Sequence, residues 1–314
     1  MKALRIGTRG SALALWQASH ISARLAELHG VESELVRIRT SGDHFQTAAV
    51  AQMGTKGVFI KELEDALLAG TIDIAVHSMK DVPTETPQGL AFPAITKRED
   101  VRDCFISHSG LTLEKLPAGA HVGTSSLRRQ AQLRAYRPDL ATVELRGNVD
   151  TRMKKVAAGE HDAIILAKAG VDRLGLSEKI TEVLPTHIML PAVGQGALGI
   201  ETRAVDREIS ALVAVLDEEA SRSCVTAERA LLRELEGGCQ VPLGAWARLG
   251  AGGLLLEACV LSPDGKQSLR RELDGAAEDA EQMGRQLGRI LLEAGADRIL
   301  RLAGRGAGSG VGNG

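Results

Sequence analysis

Aromatic side chains are almost missing from this chain: two Trp, one Tyr and four Phe in 314 residues, or 2%. Its cores must therefore be packed with Leu, Val, Ile and Ala. Cysteine is also scarce. Cys104, Cys224, Cys239 and Cys259 lie far apart and form no Cys-x-x-Cys pair, which argues against a disulfide framework or a structural zinc site, and no metal is expected. No apolar run approaches the roughly 18 residues that span a bilayer, so no membrane partner is expected. Met1 to Arg9 hold no long apolar stretch ahead of a cleavage site, so no export signal is expected and the chain reads as cytoplasmic. A net charge of −2 supplies no global basic field, which argues against nucleic-acid binding.

What is present is the composition of a soluble globular protein, 44% hydrophobic and 25% charged, at a length that allows two or three domains. The first half alternates strand and helix. Leu4 to Thr8 reads as a buried strand, and Ser11 caps a helix to about Leu28 that Gly30 ends. Glu34 to Thr40 and Ile72 to His77 read as strands, with Lys61 to Leu68 helical between them. A charged stretch, Lys97 to Asp103, reads as a crossover between domains, after which the pattern restarts. Ala120 to Gly123, Thr142 to Leu145 and Ala163 to Leu166 read as strands, and Ser126 to Tyr136 and Asp150 to Ala158 as helices. Such alternation predicts two α/β lobes, each a largely parallel sheet under helices, with ligands bound in a cleft at the strand ends.

From about Ala220 the character changes. A helix through Leu235 leads to strands at Ala245 to Leu249, Leu254 to Leu261 and Ser268 to Leu273, the last two joined by the turn Ser262-Pro263-Asp264-Gly265. A helix from Ala277 to Glu293 completes a small α+β domain, and the glycine-rich tail from Gly304 reads as disordered.

Several motifs bear chemistry. Gly123-Thr124-Ser125-Ser126-Leu127-Arg128-Arg129 lies between a strand and a helix, where backbone amides and hydroxyls make an anion site. Arg128 and Arg129 occupy a first turn whose dipole disfavours cations, so something anionic should compensate them. Arg146 and Arg152 repeat the arrangement at the next strand end, and Arg9 and Arg173 stand near others. Such a set suits a polyanionic ligand; the competing readings are solvated surface arginines, or arginines bridging acidic residues between lobes. Lys80-Asp81 follows a strand, where a carboxylate could act as acid and base or stabilise a cation, or simply cap a loop. His77 on that strand reads as a core residue. Gly194-Gln195-Gly196-Ala197-Leu198-Gly199 matches G-x-G-x-x-G, yet a strand and not a helix follows, so a dinucleotide site is not expected. Cys239 stands after Gly237-Gly238 at a helix end, either a presented thiol that carries something covalently or a small packed hydrophobe.

Taken together, the runs Thr8-Arg9-Gly10-Ser11-Ala12-Leu13-Ala14-Leu15-Trp16-Gln17, His77-Ser78-Met79-Lys80-Asp81-Val82-Pro83, Gly123 to Arg129, Leu145-Arg146-Gly147-Asn148-Val149-Asp150-Thr151-Arg152 and Glu236-Gly237-Gly238-Cys239-Gln240-Val241-Pro242 closely resemble porphobilinogen deaminase, the hydroxymethylbilane synthase family. They match in order and cover nearly the whole chain. The resemblance implies two lobes similar to periplasmic binding proteins with a central cleft, plus a small α+β C-terminal domain. Domain 1 would span 1–96 and 197–215, domain 2 97–196 and domain 3 216–303, with 304–314 a disordered tail.

It further implies a dipyrromethane cofactor joined to Cys239 by a thioether, onto which four porphobilinogen units are deaminated and added before hydroxymethylbilane is released. Asp81 would be the catalytic carboxylate, stabilising the azafulvenium-like cation left as the amine departs. Lys80, Thr124, Ser125, Ser126, Arg128, Arg129, Arg146 and Gly147 would bind the cofactor. Arg9, Ser11, Arg146, Asn148, Arg152, Arg173 and Gln195 would bind substrate carboxylates. Residues 42–57 would form a mobile loop with Lys56 and Phe59 at its far end; Gln52 stands where the family often has a second lysine. The implied enzyme is a cytoplasmic monomer of heme biosynthesis that passes its product to uroporphyrinogen-III synthase. The competing class is a non-catalytic binding protein with the same two lobes, which leaves Gly237-Gly238-Cys239 and Lys80-Asp81 unexplained.

Overall fold

A computed structural model describes residues 3–39, 60–235 and 241–306. In chain order, β1 (Leu4–Thr8) leads into α1 (Ala12–His29). Ser11 starts that helix by accepting the Ala14 N–H at 3.3 Å, and Gly30 stops it in a left-handed turn at φ 64°. There follow β2 (Ser33–Arg37), α2 (Lys61–Leu68), β3 (Ile74–Ser78), a single 3-10 turn at Met79–Asp81, and β4 (Leu90–Ile95). Next come β5 (Asp103–Ser107), β6 (His121–Gly123), α3 (Leu127–Tyr136), β7 (Ala141–Val143), α4 (Val149–Ala157), β8 (Ala163–Ala167) and α5 (Lys168–Arg173). The chain continues through β9 (Glu182–Val183), β10 (Leu198–Arg203), α6 (Arg207–Ala214) and α7 (Glu219–Glu234). It ends with β11 (Leu243–Gly250), β12 (Gly253–Leu261), β13 (Ser268–Gly275), α8 (Ala280–Glu293) and α9 (Ala296–Gly306).

These elements form two compact units. One draws on Met1–Glu99, Arg173–Gly175 and Gly196–Arg222, the other on Asp100–Asp172, Leu176–Gln195 and Ser223–Gly314. The passage at Glu99 and Asp100 falls inside the charged stretch Lys97 to Asp103.

The first unit holds a five-stranded sheet of order β2-β1-β3-β10-β4. β1 runs parallel to β2 and β3, whereas β10 runs antiparallel to both β3 and β4. The second unit repeats the plan as β7-β6-β8-β5-β9, with β6 parallel to β7 and β8, and β5 antiparallel to β8 and β9. The expected largely parallel sheets are therefore mixed. Each holds one reversed strand, β10 or β5, that pairs with a strand far off in sequence, and hydrophobic patterning marks a strand without giving its direction.

The second unit also contains an antiparallel meander, β11-β12-β13, packed under α8 and α9. Its hairpin turn is the expected one: Ser262 N–H donates to Gln267 O at 2.9 Å, and Gly265 turns at φ 75°. Helix α9 carries helical backbone through Gly306. Helix propagation from the preceding turns outweighs the glycine content there; the rest of the tail lies outside the described residues.

The cores are aliphatic, as the shortage of rings requires. Ile6, Ile21, Leu25, Ile74 and Ile200 fill the first, and Phe105 is the one fully buried aromatic among the described residues. Within the second unit, α8 approaches α7 so closely that a Cβ on Gly284 would stand 2.2 Å from the Ala227 carbonyl oxygen. Glu228, buried on α7, accepts the Gly194 N–H at 2.6 Å and the Ala247 N–H at 2.8 Å. It thereby ties β11 and the segment ending at Gln195 to one helix.

Candidate active site

In the first unit, β3 delivers the chain to the Met79–Asp81 turn. Three contacts anchor it. Met79 is buried and lies where a Cβ on Gly199 would meet its sulfur at 2.3 Å, so only glycine on β10 admits it. Ser78 Oγ accepts from buried Gln17 Nε2 at 2.9 Å. His77 Nε2 and Glu201 Oε2 pair at 3.0 Å in the core, which agrees with a core role for His77. On this fixed turn the Asp81 side chain is exposed, and no hydrogen bond reaches it among the described residues. Lys80, beside it, is half-buried.

Arg9 follows β1, and Ser11 lies next to it at the start of α1, its hydroxyl already engaged as a cap. Arg173 closes α5, donates from Nη2 to the Gly196 carbonyl at 2.7 Å, and stands 5.9 Å from the Trp16 ring centroid. It also lines an open cavity of about 370 Å³ with Trp16, His20, Lys97 and Glu99, which Asp81 does not border. Burial, then the charges of Arg173 and Arg24, lower the His20 pKa.

In the second unit, β6 ends at Gly123, and Thr124-Ser125-Ser126 lead into α3. Thr124 Oγ1 accepts the Ser126 N–H at 3.2 Å. Ser125 Oγ bridges both backbone groups of Leu145, at 2.8 Å to its carbonyl and 3.1 Å from its N–H, so this hydroxyl stitches two loops together. Ser126 Oγ caps nothing at the head of α3. Arg128 and Arg129 are only 4% and 6% exposed, which excludes their reading as solvated surface arginines. Both converge on Asp103, with Arg128 Nη1 at 2.6 Å and Arg129 Nη2 at 2.7 Å. Gln195 Nε2 reaches the same carboxylate at 3.0 Å.

Arg146 is exposed and pairs with Glu144 at 2.6 Å. Gly147 turns at φ 111°, a conformation that favours glycine, and its carbonyl accepts from Arg152 Nε at 2.7 Å. Asn148 stands exposed at the head of α4. Cys239, Lys56, Phe59, Gln52 and the expected loop 42–57 lie outside the described residues.

Sequence reasoning missed Asp103, Gln17 and Glu228. Asp103 had one signal, an acid opening the apolar run Cys104-Phe105-Ile106, and the charged stretch before it hid that signal.

Two family models match this chain: "Porphobilinogen deaminase, dipyromethane cofactor binding domain" over residues 4–211, and "Porphobilinogen deaminase, C-terminal domain" over residues 222–293. The chain belongs to the porphobilinogen deaminase family. The curated porphobilinogen deaminase of Desulforudis audaxviator (strain MP104C) is 52% identical over 306 residues, 96% of this chain and 98% of that protein.

Among solved structures, the methionine binding protein MetQ is 13% identical with a TM-score of 0.43, covering 68% of this chain and 89% of that one. A second substrate binding domain of a putative amino acid ABC transporter from Streptococcus pneumoniae Canada MDR_19A is 12% identical with a TM-score of 0.42, covering 74% and 94%. The topology stands on the strand register described above.

As a porphobilinogen deaminase, the chain is a transferase of tetrapyrrole biosynthesis. It deaminates four porphobilinogen units, joins them head to tail on a dipyrromethane cofactor and releases hydroxymethylbilane. The donor set of the second unit fits such a cofactor, whose pyrroles carry acetate and propionate groups. Arg128 Nε is buried with no acceptor, and Arg128, Arg129 and Asp103 together leave one positive charge over.

Proposed function

We propose that Asp81 is the catalytic carboxylate of this deaminase and that Cys239 is the thioether attachment point of its cofactor. The observation that carries the reading is the exposed Asp81 carboxylate, held without a hydrogen-bond partner among the described residues on an anchored turn. A carboxylate so presented can receive a substrate N–H and hold negative charge beside a developing cation. As ammonia leaves the aminomethyl carbon, the pyrrole becomes positively charged, and Asp81 stabilises that charge. Lys80, next to it, is a cation suited to a cofactor carboxylate.

When bound, the dipyrromethane would supply the free pyrrole carbon that takes the first unit. Within the second unit, Thr124, Ser126, Arg128, Arg129, Arg146 and Gly147 would hold its carboxylates. Asn148, Arg152 and Gln195 there, and Arg9, Ser11 and Arg173 in the first unit, would orient those of incoming units. Guanidinium groups suit this work because they meet carboxylates in bidentate fashion. Ser125 is supported least among the cofactor residues, since its hydroxyl already bonds Leu145 twice. We further read the enzyme as a cytoplasmic monomer that passes hydroxymethylbilane to uroporphyrinogen-III synthase, a reading that rests on the family.

Intact mass tests the attachment. The purified chain should carry the extra mass of a dipyrromethane, and Cys239→Ser should lack it. Persistence of that mass in the serine variant would move the attachment elsewhere. Asp81→Asn should fold and retain the cofactor mass while turnover falls at least about 100-fold, within the range for a general acid–base group. Near-normal turnover would remove Asp81 from the mechanism.

A further inference from the structure

Asp103 opens β5 with no exposed surface and takes no direct part in the chemistry described above. Its oxygens accept four hydrogen bonds: one from Arg128 Nη1 at 2.6 Å, two from Arg129 Nε and Nη2 at 3.2 and 2.7 Å, and one from Gln195 Nε2 at 3.0 Å. Burial on its own would raise its pKa. The charges and hydrogen bonds of Arg128 and Arg129 outweigh burial and hold it well below the usual carboxylate range.

Two features distinguish this cluster from an ordinary buried ion pair. One carboxylate faces two guanidinium groups, so a positive charge is left over in a region closed to solvent. It lies in the first turn of α3, where the helix dipole disfavours cations. Secondly, Arg128 Nε is buried with no acceptor, although buried polar groups are nearly always bonded. A cluster serving the fold alone would be neutral and fully bonded, because burying unmatched charge is costly. Both features call for the same thing, a single anionic acceptor.

We propose that Asp103 is a positioning residue for cofactor capture: it fixes Arg128 and Arg129 side by side and cancels one of their two charges, so that one carboxylate of the dipyrromethane completes the cluster. The proposal rests on the reading of Arg128 and Arg129 as cofactor-binding residues. Asp103 acts through them and does not touch the cofactor itself. Arg128 is held at one end by Asp103 and by the Leu190 carbonyl at 2.7 Å, and Arg129 by the Ile165 carbonyl at 3.0 Å. The two side chains are thus set in place before any ligand arrives.

Full-length chain made without cofactor and mixed with porphobilinogen reports the effect, with loading followed by intact mass well below the melting temperature of each variant. Folded Asp103→Asn, which keeps the shape and removes the charge, should load at least about tenfold more slowly than wild type. Because part of its effect runs through Arg128, Asp103→Asn should slow loading by a smaller factor in an Arg128→Gln background than in wild type. Loading of folded Asp103→Asn at the wild-type rate, or an equal or larger factor in the Arg128→Gln background, would overturn the proposal.

Should Asp103→Asn fail to fold, the wild-type chain still decides. Its Arg128 Nε–H resonance, assigned by its loss in Arg128→Lys, should shift on loading as it gains an acceptor. An unmoved resonance overturns the proposal. A wild-type chain that gains no dipyrromethane mass would instead sink the underlying attachment reading, a distinct result from a normal rate in Asp103→Asn.

Discussion

Arg128 and Arg146 have the same charge and the same expected ligand, yet burial gives them different consequences. Arg146 is exposed, and its partner Glu144 is more exposed still. Such surface pairs contribute at most about 1 kcal/mol, so Arg146→Ala should leave urea-unfolding stability within about 1 kcal/mol of wild type while slowing cofactor assembly or elongation. Arg128→Ala leaves Asp103 neutralised by Arg129 but strips its buried Oδ2 of a donor, and should cost about 1–3 kcal/mol. Equal unfolding midpoints for the two variants would contradict the burial difference. The tandem Arg128-Arg129 was legible from its place after Gly123-Thr124-Ser125-Ser126. Its partner was not, because Asp103 closes a charged stretch that resembles a surface crossover, and no local spacing relates it to α3. Ser125 shows the reverse limit. A motif position names a residue type, but whether its hydroxyl faces a ligand or the Leu145 backbone is decided by the fold of a later loop.

At the scale of elements, local chemistry fixed the ends well and the directions poorly. Ser11 and Gly30 bound α1 as read from the sequence, since a cap and a left-handed turn depend only on neighbouring residues. The antiparallel insertion of β10 and β5 depends on where distant segments return, which no window of sequence contains. Packing between α7 and α8 is likewise long-range. Gly284 has Ala227 O at 2.2 Å and the Ala230 Cβ at 2.7 Å from where its own Cβ would stand. Gly284→Leu should therefore force the helices apart and destabilise by at least about 1–3 kcal/mol, the usual cost of overpacking. A denaturation midpoint at the wild-type value would show that the helices separate freely.

Across the whole molecule, buried and half-buried acids set the response to pH. Asp73 is held below its ordinary value of 3.8 by Arg5 and Arg203, whose hydrogen bonds outweigh burial, and Asp100 chiefly by its hydrogen bond to Arg102. Asp103 is depressed likewise. As pH falls, the unfolded chain takes up protons on these groups before the folded chain does. Their stabilisation is thus complete above the ordinary value of 3.8 and is lost as pH drops beneath it. Melting temperatures recorded from pH 6 downward should fall most steeply below about pH 4; a flat profile there would mean these pairs contribute nothing.

The Glu228 carboxyl has a consequence in time as well as in space. Gly194 and Ala247 donate their amide protons to the same buried group, so neither proton can reach solvent until that corner opens. Their hydrogen exchange should therefore be slow and closely matched in rate, although they belong to different segments of the chain. Glu228→Gln should accelerate both together, and acceleration of one alone would show that each amide opens by its own route. One side chain on α7 would then set the interval over which a loop and a strand come loose as a pair.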